Sequence, residues 1–232
     1  MPRFFVPKED ISQEKIILKD ENNFHISITL RMRKGEEIVV SDMCSKEYLC
    51  VLEEFSKDCC IAKIIKIQSY KSESEQKITL FQCLPKSDKM EQIIKKSTEL
   101  GVFQIYSVLS KRCISRPDEK SMLKKNERYE KIALEAAKQS QRGIIPQVNN
   151  LIEFNTMLSM LKTFDKTIIY YENGGDITKN ILSKNDKNIA IIIGAEGGFE
   201  EQEVDKAKQN SAFLATLGTR ILRCETASIV AL

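Results

Sequence analysis

Residues 188–199 read NIAIIIGAEGGF. Positions 189–193 form a short, almost wholly apolar run rich in β-branched side chains, the mark of a strand buried on both faces of a parallel sheet. The run stops at Gly194, and Gly197 and Gly198 follow. Positions 200–208 then read as a helix with acidic residues in its first turn, where the positive end of the helix dipole favours them. A strand, a glycine loop and a helix in that order set backbone N–H groups at the carboxyl edge of a sheet, where open α/β folds bind small ligands. Three glycines also leave the backbone bare, so a flat ligand can come close. Residues 215–229, ATLGTRILRCETASI, repeat the plan. Positions 213–217 read as a strand, Gly218 turns the chain, positions 220–223 alternate basic and apolar side chains, and a helix opens at Glu225. Neither loop has the spacing of a dinucleotide fingerprint or a P-loop.

Outward from this pair, residues 77 onward alternate strands and helices. A strand at 78–84 stops at Pro85. Asp88 is placed to cap a helix running to Leu100, with Met90, Ile93, Ile94, Ser97 and Leu100 on its packed side, and Gly101 ends it. A strand at 103–109 precedes a long helix at 121–141, with Ile132, Ala136 and Gln139 on one face and Arg128, Lys131, Glu135 and Lys138 on another. An extended segment at Val148, a helix at 156–161, a strand at 167–171 and a short helix at 177–182 complete the rhythm. Such alternation predicts a mostly parallel sheet with helices on both faces. Residues 1–70 differ. Short strand-like runs at 15–18, 37–40, 48–52 and 60–65, with a short helix at 24–33, predict a small β-barrel. The polar stretch KSESEQ at 71–76 reads as a linker. Two domains follow, residues 1–72 and 73–232.

The chain has 232 residues, 42% hydrophobic and 30% charged, as in soluble proteins. No apolar run is long enough to span a bilayer, and MPRFFVPKED turns acidic before a signal-like core forms, so no membrane association is expected. Seven irregularly spaced cysteines with one histidine, His25, predict reduced thiols, a cytoplasmic location and no metal site. The net charge of +3 is uneven: residues 111–142 hold ten basic against five acidic side chains. A local basic zone on a balanced chain suggests a polyanion site, although a solvated helix face gives the same pattern.

IGAEGGF, followed about twenty residues later by LGTRILRCETA, resembles the paired signature of the RsmE family, and the resemblance extends over nearly the whole chain. Residues 2–5 and 25–35 are similar to the family's amino-terminal PUA-like barrel, residues 90–102 to the first long helix of its methyltransferase domain, and residues 110–113 to its serine-x-arginine turn. Arg128, residues 131–133 and 135–137, Gln139, Ser140, Arg142 and Pro146 match the helix that follows. Two departures stand out. Ala195 replaces a usual proline, which predicts a less preorganised loop, and Cys224 replaces a usual threonine. The chain also ends a little short of the family's usual C-terminal helix.

The resemblance implies a SPOUT-class α/β fold, in which a mostly parallel sheet is tied in a trefoil knot over about residues 168–232, with the PUA-like barrel at the N-terminus. It implies an S-adenosylmethionine-dependent enzyme that methylates N3 of a uridine in small-subunit (16S) ribosomal RNA and works as a homodimer. Gly194, Ala195, Glu196, Gly197 and Gly198, with Leu217, Gly218, Ile221 and Leu222, would hold the cofactor. The uracil N3–H is a weak acid, so the protein must orient N3 toward the methyl carbon and stabilise the anion that develops. Arg220 and Arg223 are the expected catalytic residues because a guanidinium stays charged and offers two parallel donors. A carboxylate, Glu172, Glu196 or Glu225, would take the proton, and nothing in the sequence chooses among them. Arg3, Arg31, Arg33 and Lys34 of the barrel, with Lys111, Arg112, Arg128 and Arg142 of the basic zone, are the expected contacts to ribosomal RNA or the small subunit. Two rival classes remain: a non-catalytic dimeric RNA-binding module of ribosome assembly, and a nucleotide-dependent enzyme.

Overall fold

A computed structural model describes every residue, Met1 to Leu232. The chain forms two compact units, one of residues 1–73 with 137–145, the other of residues 74–136 with 146–232.

The first unit is built on β1 (Arg3–Phe5), β2 (Lys15–Lys19), α1 (Asp20–Phe24), β3 (Glu37–Ser41), β4 (Lys46–Phe55) and β5 (Cys59–Ser69). Its sheet runs β1-β3-β4-β5-β2, with β1 parallel to β3 and the other pairs antiparallel. Period-two alternation sends Tyr48, Cys50 and Leu52 of β4 inward, where they meet Phe4, Ile16, Leu18, Ile38, Val40, Cys60 and Ala62. Two register shifts between β4 and β5 bend the sheet. The helix expected at 24–33 is instead α1 followed by a single π-helical stretch, His25–Thr29. Arg31, at φ 53°, then turns the chain out of helical geometry.

Residues 71–76 are not a free linker. The Glu73 carboxylate accepts hydrogen bonds from Arg142 Nη2 at 2.6 Å and from the Gly143 backbone at 2.8 Å. Ser41 donates to the Gly143 carbonyl, and a Cβ on Gly143 would stand 2.5 Å from the Tyr70 ring, so only glycine fits there.

The second unit holds β6 (Lys77–Cys83), α2 (Lys89–Glu99), β7 (Gln104–Leu109), most of α3 (Glu119–Gln139), β8 (Gln147–Glu153), α4 (Phe154–Met160), β9 (Lys166–Tyr170), β10 (Asp176–Ile177), α5 (Thr178–Ile181), β11 (Asn188–Ile193), α6 (Glu201–Gln209), β12 (Ala212–Thr216) and α7 (Cys224–Ala231). Its seven strands are all parallel, in the order β10-β12-β9-β11-β6-β7-β8. β11 lies between β6 and β9, and Ile189 to Ile193 are buried, as a central strand requires. Burying each isoleucine is worth roughly 1.5–3 kcal/mol.

Two helices depart from their sequence patterns. Met90, Ile93, Ile94, Ser97 and Thr98 of α2 are buried, but Leu100 is exposed beyond its last turn. Asp88 precedes α2 through backbone bonds alone; its carboxylate does not cap. On α3 the packed stripe is Met122, Asn126, Tyr129, Ala133 and Ala136–Ala137; of the expected face Ala136 is buried, Ile132 half-buried and Gln139 exposed. The wider face won because Tyr129 and Met122 remove more apolar area from water than Ile132 does.

Candidate active site

A cavity of about 490 Å³ opens at the carboxyl ends of β9, β11 and β12, a volume suited to a small-molecule ligand. It lies beside the point, between β6 and β11, where the strand order changes sides. From β6 the chain builds outward through β7 and β8, then crosses to place β9, β11 and β12 on the other side. Loops leaving a sheet in opposite directions part and leave a crevice.

The loop after β11 forms one wall and is held at four points. The Gly198 N–H donates to the Ala195 carbonyl at 3.0 Å, closing a tight turn in which Gly198 takes φ 63°. Arg112 Nη1 donates to the Gly197 carbonyl at 2.9 Å. Gln82 Nε2 donates to the Gly194 carbonyl at 3.1 Å. Glu196 accepts from the Lys86 backbone at 3.1 Å and pairs with Lys89 Nζ at 2.9 Å. These contacts, with alanine at position 195, define the shape of the turn. A Cβ on Gly194 would meet Gly198 Cα at 3.0 Å, so the two halves of the loop touch backbone to backbone.

Residues 217–222 form the facing wall. Thr216 Oγ1 both accepts from the Gly218 N–H and donates to the Gly218 carbonyl. No other hydrogen bond engages the backbone from Leu217 to Leu222, which leaves these peptide groups to a ligand. Arg220 and Arg223 line the cavity and are exposed, and their guanidiniums make no hydrogen bond or ion pair. Ile221, between them, is 88% exposed. Gly194 to Gly198, Leu217, Gly218, Ile221 and Leu222 thus all come to this cavity.

Glu172 and Glu196 line it, and Glu225 lies beside it, 3.5 Å from the lining Lys89. Burial pushes Glu196 up, but the bonds from Lys89 and the backbone prevail and hold it below the usual carboxylate range. Glu225 behaves alike: burial raises it, while its own backbone amide, the Cys224 thiol and Lys89 bring it below that range. Glu172 has neither kind of partner; its carboxylate lies against Gly198, where a Cβ would be 2.8 Å from Oε1.

Two residues absent from the sequence reading anchor the site. Gln82, fully buried in β6, donates to the carbonyls of Cys83 and Gly194. Its Oε1 lies 2.5 Å from the Ser228 hydroxyl, which shares its proton with the Cys224 carbonyl at 2.8 Å. One amide thus ties the central sheet, the glycine loop and α7 together. The signal was a lone glutamine inside the apolar run 78–84.

Glu203 is a second anchor. It completes a capping box with Glu200 at the start of α6 and accepts from the Lys111 N–H at 2.9 Å. Glu203→Ala leaves two N–H groups unpaired, and the expected loss is about 1–3 kcal/mol in chemical denaturation with an unchanged m-value. A loss under about 0.5 kcal/mol would mean that water replaces the carboxylate.

The basic residues expected at RNA divide. Arg31, Arg33 and Lys34 are exposed. Lys111 pairs with Glu200 and Arg128 with Glu91, both from exposed positions. Arg142 is buried and Arg3 half-buried: Arg3 pairs with Glu47 at 2.8 Å, and Arg142, its side chain 3% exposed, pairs with Glu73. Their guanidiniums are spent inside the first unit, which corrects the expectation that they meet phosphate.

The RNA methyltransferase domain family model matches residues 72–232. The ribosomal RNA small subunit methyltransferase E of Bacillus subtilis (strain 168) is 34% identical over all of this chain and 94% of its own length. Among solved structures, the Neisseria gonorrhoeae ribosomal RNA small subunit methyltransferase E bound to S-adenosyl methionine has a TM-score of 0.88 at 32% identity, covering all of this chain and 94% of that one. A Legionella pneumophila protein in complex with the cofactor SAM has a TM-score of 0.87 at 28% identity, with 99% and 94% covered.

Proposed function

The chain belongs to the ribosomal RNA small subunit methyltransferase E family, and from that premise we propose that it transfers the methyl group of S-adenosylmethionine to N3 of a uridine in small-subunit ribosomal RNA. It is an S-adenosylmethionine-dependent ribosomal RNA methyltransferase. The observation that carries the site assignment is the cavity between residues 194–198 and 217–222, with its uncommitted backbone and two unpaired arginines.

The cavity's chemistry fits the cofactor. Leu217 and Leu222 offer apolar surface, and the peptide groups of 217–222 offer the donors and acceptors an adenine edge needs. When bound, S-adenosylmethionine supplies an electrophilic methyl group on a positively charged sulfur. The remaining tasks fall to the protein. The glycine loop, gripped by Gln82, Arg112 and Lys89, keeps its shape without reorganising. Arg220 and Arg223 orient the uracil and stabilise the charge that N3, O2 and O4 acquire.

Further features of this reading are a trefoil knot, a PUA-like barrel in residues 1–72 that binds RNA, a methyltransferase domain from residue 73, and a homodimer acting in the cytoplasm. In favour of the knot, α7 follows β12 on one side of the sheet, yet packs against α2 and β11 and bonds to Gln82 of β6. Exposed Ile221 and Val230 favour a partner subunit. For RNA, Arg31, Arg33 and Lys34 serve the barrel. Arg112 lies beside the cavity. On α3, exposed Lys120, Lys124 and Lys131 form a stripe with Arg128 that charge counting alone had not resolved. Replacing the three lysines by alanine should lower the slope of log affinity against log salt by roughly 0.7 for each single-strand phosphate that a lysine no longer neutralises, with cofactor affinity unchanged. An unchanged slope would remove α3 from the RNA surface.

The reaction itself is tested with small-subunit particles lacking the modification and tritiated S-adenosylmethionine. Label should appear in the RNA and map to uracil N3. Absence of transfer, or label on another atom, refutes the assignment.

A further inference from the structure

Methylation of N3 requires that the N3–H proton leave; Glu172 and Glu196 line the cavity, and Glu225 lies beside it. Two are already committed. Lys89 bonds Glu196 at 2.9 Å and lies 3.5 Å from Glu225. Glu196 is also fixed by the Lys86 N–H, and Glu225 accepts from the Cys224 thiol at 3.2 Å. A proton placed on either would displace an ammonium ion from its partner. Glu172 stands apart. It follows β9 at the cavity wall, is exposed, and makes no hydrogen bond or ion pair. Its carboxylate rests on the bare Cα of Gly198, on the loop expected to carry the cofactor. The loop behind it has a defined shape: Gly174 and Gly175 take φ 126° and 131°, and a Cβ on Gly175 would be 2.7 Å from the Ala215 backbone. Residues 172–175 are thereby seated against β12.

The geometry points to Glu172 as the catalytic residue that accepts the N3 proton, a role that rests on the reaction proposed above. Glu172 takes the proton. The electron pair left on N3 forms the bond to the methyl carbon while the sulfur–carbon bond breaks with its pair on sulfur. Glu172 then releases the proton to water, and the enzyme is unchanged. The other charged groups at the cavity have separate parts: Arg220 and Arg223 face the developing anion, and Lys89 neutralises Glu196 and Glu225.

A competing role is attraction of the cofactor's positive sulfur by the same carboxylate, and the test separates the two. Single-turnover methyl transfer by the full chain, with RNA and cofactor saturating, is measured from pH 6 to pH 9.5 for wild type, Glu172→Gln and Glu172→Asp. Calorimetry gives the affinity of each for S-adenosylmethionine and for its neutral thioether product. As a proton acceptor, Glu172→Gln loses roughly 10²-fold in rate at neutral pH, and the deficit narrows as pH rises because hydroxide takes over proton removal. Glu172→Asp recovers part of the rate, and both affinities stay within about threefold of wild type. Three results would overturn the role: a rate within about threefold of wild type, a deficit constant across pH, or weakened binding confined to the charged cofactor. Product mapping keeps the premise distinct. Wild-type label on an atom other than N3 overturns the reaction and the role together, whereas N3 methylation with an unimpaired Glu172→Gln overturns the role alone.

Discussion

Arg220→Ala is expected to slow methyl transfer by roughly 10²–10³, the loss of about 2.7–4 kcal/mol seen when one donor to a developing oxyanion is removed. Arg220 lines the cavity between Thr219 and the exposed Ile221, and no carboxylate or carbonyl holds its guanidinium. Its charge is therefore available to the substrate. The charge it meets exists mainly in the transition state, as N3 loses its proton. An interaction of that kind raises the rate more than the affinity. Cofactor and RNA dissociation constants should accordingly change far less than the single-turnover rate. Arg220→Lys keeps the charge without the bidentate fork and should fall between wild type and alanine. If the alanine variant stays within about threefold, a barrier change of only ~0.7 kcal/mol, Arg220 is a loop residue. The anion would then be stabilised by Arg223.

The second large effect is expected at Gln82. Gln82→Leu keeps the volume of a fully buried side chain and removes its amide. The Gly194 carbonyl loses its bond to Nε2 and the Ser228 hydroxyl loses Oε1. Ser228 keeps its bond to the Cys224 carbonyl, so the stranded Gly194 carbonyl dominates, and a loss of about 1–3 kcal/mol in unfolding free energy follows. Ser228→Ala should cost less, because Gln82 keeps both of its donor bonds. Starting from Gln82→Leu, Ser228→Ala should cost almost nothing, and a double-mutant cycle measures that coupling. A freed Gly194 also loosens the cavity wall, so cofactor affinity should fall with Gln82→Leu. Additive losses in the cycle would show that the two residues act independently.

Legibility in the sequence followed the range of the forces involved. β11 was readable because an unbroken branched run has few other uses, and α6 because its acidic first turn is local. The cavity walls were readable as two glycine turns after strands. Pairings between distant residues were not. Arg3 meets Glu47, 44 positions on, and Arg142 meets Glu73, 69 positions back, so the barrel reading credited Arg3, and the charge count over 111–142 credited Arg142, to a polyanion surface. The committed state of Glu196 was hidden likewise, since Lys86 and Lys89 lie more than a hundred residues before it. On α3, Asn126 and Tyr129 belong to the buried stripe, and their polar atoms masked its period.

The insertion of β11 between β6 and β9 has a consequence for synthesis. Both neighbours leave the ribosome before β11 does, so a nascent chain carries two unpaired parallel edges separated by the width of a missing strand. At roughly 5–20 residues per second, the stretch from β9 through β11 takes roughly one to six seconds to appear. Edges of that kind are templates for pairing with another chain. Prompt delivery of the isoleucine strand shortens the time for which those edges stay open. An enzyme that modifies ribosomal RNA thus depends, in each of its own copies, on the pace at which ribosomes elongate.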